Sequence, residues 1–88
     1  MRVEEIAITR SEGLHARVCA QVVHAASRCA SEVFLTVNGR RASARSLLAV
    51  MLLAASVGSV VRLEAEGPDE AGAVRAVAQI LQGSAGGG

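Results

Sequence analysis

The chain has 88 residues, half of them apolar, and a net charge of +1 from nine basic and eight acidic residues. That length suits one domain around a single core, and the balanced charge leaves neither an electrostatic footprint for nucleic acid nor a polybasic membrane anchor. Phe34 is the only aromatic residue, which excludes platforms for stacking bases or sugars.

Val3 to Thr9 reads as a first strand, Ile6 and Ile8 alternating with Ala7 and Thr9. Arg10-Ser11-Glu12-Gly13 is a polar loop. From Ala16 to about Ala30 the period becomes helical, and Cys19, Val22, Val23, Ala26, Cys29 and Ala30 form one apolar stripe. Glu32 to Val37 alternates again, with Val33, Leu35 and Val37 on one face. Asn38-Gly39 is a strong hairpin signal for a short polar return, Arg40 to Ser43, suited to a sheet edge.

Ser46 is a good N-cap for a short helix to about Leu53 that is apolar on nearly every side. Val60 to Glu66 is the last strand, with Val61, Leu63 and Ala65 facing the core. Gly67-Pro68 turns the chain into a final helix, which Asp69 caps and Glu70 suits through the helix dipole; its buried stripe is Val74, Val77, Ile80 and Leu81. Residues 1–82 form the domain, and 83–88 are a flexible glycine-rich tail without core residues.

The order β-α-β-β-α-β-α is an α+β domain, with three helices layered on one face of a four-stranded sheet and the other face open to water. The longest apolar run, Leu47 to Ala55, is about half a membrane span. The charged start Met-Arg-Val-Glu-Glu is unlike a secretory signal. With Cys19 and Cys29 read as reduced core residues, this points to a cytoplasmic protein. The two cysteines and two histidines fit no zinc spacing, so neither metal nor cofactor is expected.

Gly13-Leu14-His15-Ala16-Arg17 falls where the first strand has ended and the first helix begins. The first N–H groups of a helix lack internal partners and its dipole favours anions, so a phosphate held at His15 meets ready donors. The backbone of Ala16, Arg17 and Val18 supplies them, and the Arg17 side chain adds a charge-assisted contact. A nucleophilic imidazole must be neutral, and this setting disfavours the imidazolium. On local sequence alone, His15 reads more readily as a plain loop or cap histidine, and His24 reads as a solvated surface histidine.

The Ser46 helix is too short to bury every face. Some of Leu47, Leu48, Met51 and Leu52 then remain exposed as a partner surface, unless the helix is sunk in the core. Arg40, Arg41 and Arg45 just before it are either a solvated edge or a device for steering an acidic partner.

Taken together, these residues resemble the HPr phosphocarrier family of the bacterial phosphotransferase system. The resemblance spans about residues 3 to 82. It rests on Gly13-Leu14-His15-Ala16-Arg17, Asn38-Gly39-Arg40, Ala44-Arg45-Ser46-Leu47-Leu48-Ala49-Val50-Met51 and Glu66-Gly67-Pro68-Asp69-Glu70-Ala71. It implies an open-faced β-sandwich, antiparallel and four-stranded. It implies a monomer that is a carrier and not an enzyme: His15 is phosphorylated on Nδ1 by Enzyme I, Arg17 assists, and an Enzyme II A-type protein or domain receives the group. Ser46 matches the regulatory serine of many members, which HPr kinase/phosphorylase modifies, and Leu47, Leu48 and Met51 match the docking surface.

Two residues depart from the family pattern. Val18 stands where sugar-type members often carry proline, and so restores a backbone N–H; with the run from Ala49 to Ala55 it resembles proteobacterial and nitrogen-branch members. Glu12 places a carboxylate near the site and is expected to point to solvent. The alternative reading is a regulatory protein-binding module controlled by phosphorylation of Ser46. A plain interaction domain without phosphotransfer is a third.

Overall fold

The computed structural model describes residues 1–9, 15–53 and 58–83. The elements run β1 (Arg2–Ala7), α1 (Ala16–Ser27), β2 (Glu32–Val37), β3 (Arg40–Ser43), α2 (Leu47–Leu52), β4 (Val60–Glu66) and α3 (Glu70–Gln82). The strands form one antiparallel sheet in the order β1-β4-β2-β3. The expected α+β fold and element order are those observed.

Alternation in the sequence becomes two sheet faces. Leu35 and Leu63 pair directly across the central strands and are fully buried. With Val33, Val37, Val61 and Ala65 they make the floor of the core. α3 packs over β1, β4 and β2, and α1 packs beside α3, so Val18, Cys19, Val22 and Ala26 meet Ala73, Val74, Val77 and Leu81 in the same cluster. The other face carries the polar alternates: the Arg41 guanidinium lies 3.8 Å from the Phe34 ring centroid, a cation–π contact. Glu64 receives Arg41 and Arg62 at 3.7 and 3.8 Å.

The hairpin follows its turn chemistry. Asn38 and Gly39 both have positive φ, 51° and 81°, as a two-residue primed turn between twisted strands requires. Among the described residues β3 pairs only with β2 and forms an edge, as its polar composition suggests.

Three details differ from the sequence reading. α1 ends at Ser27, short of Ala30, and Ala30 is exposed. The cause is Asp69, which does not cap α3 with its side chain. Its carboxylate instead accepts N–H bonds from Ala30 at 3.0 Å and Ser31 at 2.9 Å and a hydroxyl bond from Ser31, while its own N–H donates to Ser31 Oγ at 3.1 Å. Gly67 packs so closely on fully buried Ser31 that an added Cβ would fall 2.6 Å from Ser31 Cα. Finally, Gly83, assigned by sequence to the tail, closes α3 in a left-handed conformation at φ 62°. The remainder of the tail lies outside the described residues.

Candidate functional site

His15 is the N-cap of α1. Its extended backbone (φ −103°, ψ 175°) turns the chain into the helix, and its carbonyl accepts the Cys19 N–H at 2.9 Å. The imidazole folds back over the first turn, where Nδ1 accepts the Arg17 N–H at 3.2 Å. An N-cap acceptor is usually a hydroxyl or carboxylate; here it is a ring nitrogen. Accepting that bond requires the lone pair on Nδ1, so a neutral ring carries its proton on Nε2.

The half-buried ring stands among exposed neighbours. Ala16 and Arg17 are exposed, and the Arg17 guanidinium has no partner among the described residues. Val18 is fully buried, and its N–H has no acceptor among the described residues. Gly13, Leu14 and the departure at Glu12 lie outside the described residues.

Ser46 occupies the N-cap position predicted for it. Its Oγ accepts the Ala49 N–H at 3.2 Å. α2 packs on α1 and the end of β3, at the margin of the sheet, and so one turn of it reaches the core: Val50 within the helix and Leu53 just after it are buried. Leu47, Leu48, Met51 and Leu52 are 43, 68, 41 and 62% exposed. The helix is therefore not sunk in the core, and it presents an apolar patch beside the helix that His15 begins.

The arginines before α2 divide. Arg45 reaches back with Nη2 to the carbonyls of Cys29 at 2.9 Å and Ser31 at 3.2 Å. Arg41 belongs to the open sheet face. Arg40 is exposed and unpaired among the described residues. Sequence reasoning missed both the Arg45 tie and the Asp69 clasp, since each joins residues far apart in the chain.

Both cysteines are free. Cys19 is in the core, where burial pushes its thiol up from its ordinary pKa; the half-buried Cys29 thiol donates to the Ala25 carbonyl at 3.4 Å. Among the described residues no three His, Cys, Asp or Glu side chains are grouped to hold a metal ion. Nor is any helix of the described residues long and apolar enough to cross a membrane.

A single imidazole on the positive end of a helix, with a guanidinium unpaired among the described residues and an apolar patch nearby, suits a group held briefly and handed to a docked protein. Comparison with known proteins gives the same class. Residues 3–83 match the family model "PTS HPr component phosphorylation site". Phosphocarrier protein HPr of Xylella fastidiosa is 39% identical over 82 residues, covering 93% of this chain and 92% of the relative. That of Neisseria meningitidis is 40% identical over 83 residues, covering 94% and 93%. The crystal structure of the Bacillus anthracis HPr superposes with a TM-score of 0.88 at 30% identity, covering 92% of this chain and 96% of that one. The chain belongs to the HPr family of the phosphotransferase system: it is a phosphocarrier protein, not an enzyme in its own right.

Proposed function

We propose that His15 is the phosphoacceptor and that Nδ1 is the reacting atom. The observation that carries this reading is the placement of Nδ1 against the first turn of α1, 3.2 Å from the Arg17 N–H. The Nδ1 lone pair attacks the phosphorus of the donor. The N–P bond forms as the donor's bond to phosphorus breaks, and the ring proton stays on Nε2. The new phosphoryl oxygens then lie at the positive end of α1, with the N–H groups of Ala16, Arg17 and Val18 and the Arg17 guanidinium as donors. Reversal of the same step on a second protein returns the group.

In this reading Enzyme I, charged from phosphoenolpyruvate, is the donor and an Enzyme II A-type protein or domain the acceptor. Both dock on Leu47, Leu48 and Met51, with exposed Leu52 extending the patch. Residues 1–82 act as a monomeric cytoplasmic carrier domain and 83–88 as its tail. Incubation with phosphoenolpyruvate and Enzyme I should add one phosphate, stable in base and labile in acid, to the wild type and none to H15A. An H15A protein that gained the same label would overturn the assignment.

Ser46 supports a second, compatible role. A dianion placed there by HPr kinase/phosphorylase sits at the edge of the apolar patch and changes it by charge. No label at Ser46 after treatment with a matched kinase removes that role.

A further inference from the structure

We infer that Arg45 is a positioning residue for phosphoryl transfer: it sets how the apolar patch of α2 lies relative to His15, and does so from within the carrier, not as a charge offered to the partner. This rests on the reading of that patch as the docking surface. α2 has six residues, too few to hold a helix by its own hydrogen bonds, and within it only Val50 is buried. Its entry is tied locally, where the Ser46 N–H donates to the Ser43 carbonyl at 3.0 Å and the Arg45 N–H to Ser43 Oγ at 3.2 Å. The Arg45 guanidinium does something different. The N–H groups of Nη2 reach 16 and 14 residues back along the chain, to the carbonyls of Cys29 at 2.9 Å and Ser31 at 3.2 Å. That place suits a cation, because it lies just past the C-terminal, negative end of α1.

The segment that Arg45 grips is itself fixed. Asp69 takes the N–H groups of Ala30 and Ser31 from the α3 side, and Gly67 closes on fully buried Ser31. With its N–H groups held by a carboxylate and its carbonyls by a guanidinium, this connection is a post and not a loose loop. α1 joins the post to His15 as a 12-residue rod, about 18 Å long. His15 and the entry of α2 are thus referred to one rigid segment, His15 through α1 and the patch through Arg45. A protein docked on Leu47, Leu48 and Met51 has to bring its own reacting group to Nδ1, so the lie of α2 on α1 decides whether docking is productive. Without the Arg45 tie, α2 keeps Val50 in the core and pivots about it. A partner then has to order the patch at each encounter, which costs affinity and leaves the docked geometry unchanged.

The test measures steady-state transfer from Enzyme I, charged with phosphoenolpyruvate, to wild type, R45A, R45K and L48E. It is run at low salt and at about 0.5 M salt, where steering between exposed charges is screened. Lysine keeps the charge but is shorter and lacks the planar fork, so it does not hold both carbonyls. R45A and R45K alike should raise the KM for the carrier about tenfold, with kcat within about twofold of wild type and the same ratios at both salt concentrations. An R45K protein that matches wild type, or an R45A defect that disappears at high salt, makes Arg45 a steering charge and overturns the inference. An unchanged KM in R45A, or a loss confined to kcat, overturns it as well. L48E separates the two readings. If L48E raises KM and R45A does not, the role of Arg45 falls alone; if L48E leaves KM unchanged, the docking surface falls with it. Urea midpoints identify any unfolded variant, and if R45A loses its fold, R45K against wild type still decides.

Discussion

Under the proposed function His15 has two tasks in the same place. As the cap of α1 it closes a backbone donor, and as a base it presents Nδ1 toward the positive end of a helix. The two compete for one lone pair, so the helix start must rearrange its bonds when the nitrogen reacts. Arg17 contributes twice, by its N–H and by a guanidinium with no partner among the described residues. R17A removes only the second. Phosphoryl transfer from Enzyme I should fall about 10- to 100-fold, the worth of a hydrogen bond to a charged group. Stability should change by no more than about 0.5 kcal/mol, since the side chain is exposed. Rapid-quench transfer assays and urea denaturation separate the two; equal losses in both would contradict the role.

At the scale of elements, α2 shows how much of the site was readable. Ser46 as cap followed from residue type and position, and the excess of apolar residues on a six-residue helix meant that some stay outside. Which ones stay outside depends on where α2 sits, and its place at the margin against α1 and β3 is a tertiary fact. The same limit explains Asp69. An aspartate before Glu70 looks locally like a helix cap, but donors from Ala30 and Ser31, 39 and 38 residues away in the chain, outcompete the helix for its carboxylate. Strand alternation and the Asn38-Gly39 turn were legible because both are local. The sheet order β1-β4-β2-β3 was not, because it depends on which strands pair across the fold. Two substitutions test the division of α2. L48E, at a position 68% exposed, should leave stability within about 0.5 kcal/mol and weaken transfer to and from partner proteins. V50A deletes two fully buried methyl groups and should cost about 2 kcal/mol of stability, read from the urea midpoint, with little effect on transfer in the folded protein.

At the scale of the whole molecule, the carboxylates before and at the start of α3 tie distant segments together. Asp69 holds the α1–β2 connection, and Arg45 holds the carbonyls of the same connection from the α2 side. Glu70 accepts the Gly67 N–H at 3.3 Å and receives the Met1 ammonium at 3.3 Å. The Ser31 hydroxyl first, then the Ala30 and Ser31 N–H groups, hold Asp69 below its ordinary pKa of 3.8. The Gly67 N–H first, then the amino terminus, lower Glu70 from 4.5. A carboxylate whose pKa is depressed by folding is bound more tightly as the anion, so the unfolded chain takes up its proton first. Its stabilising effect is complete above the ordinary value, declines as pH falls through it, and is gone below the depressed one. D69N keeps one acceptor oxygen and turns an amide toward the donors of the clasp. Its urea midpoint should therefore lie below that of the wild type at pH 7, and the gap should narrow steadily below pH 4 as the wild-type carboxylate protonates. A gap unchanged between pH 7 and pH 2.5 would mean that the charge of Asp69 does not hold the α1–β2 connection to α3. Because the clasp is remote in sequence from His15, D69N should still accept the phosphoryl group under conditions where it is folded, which separates the frame of the carrier from its chemistry.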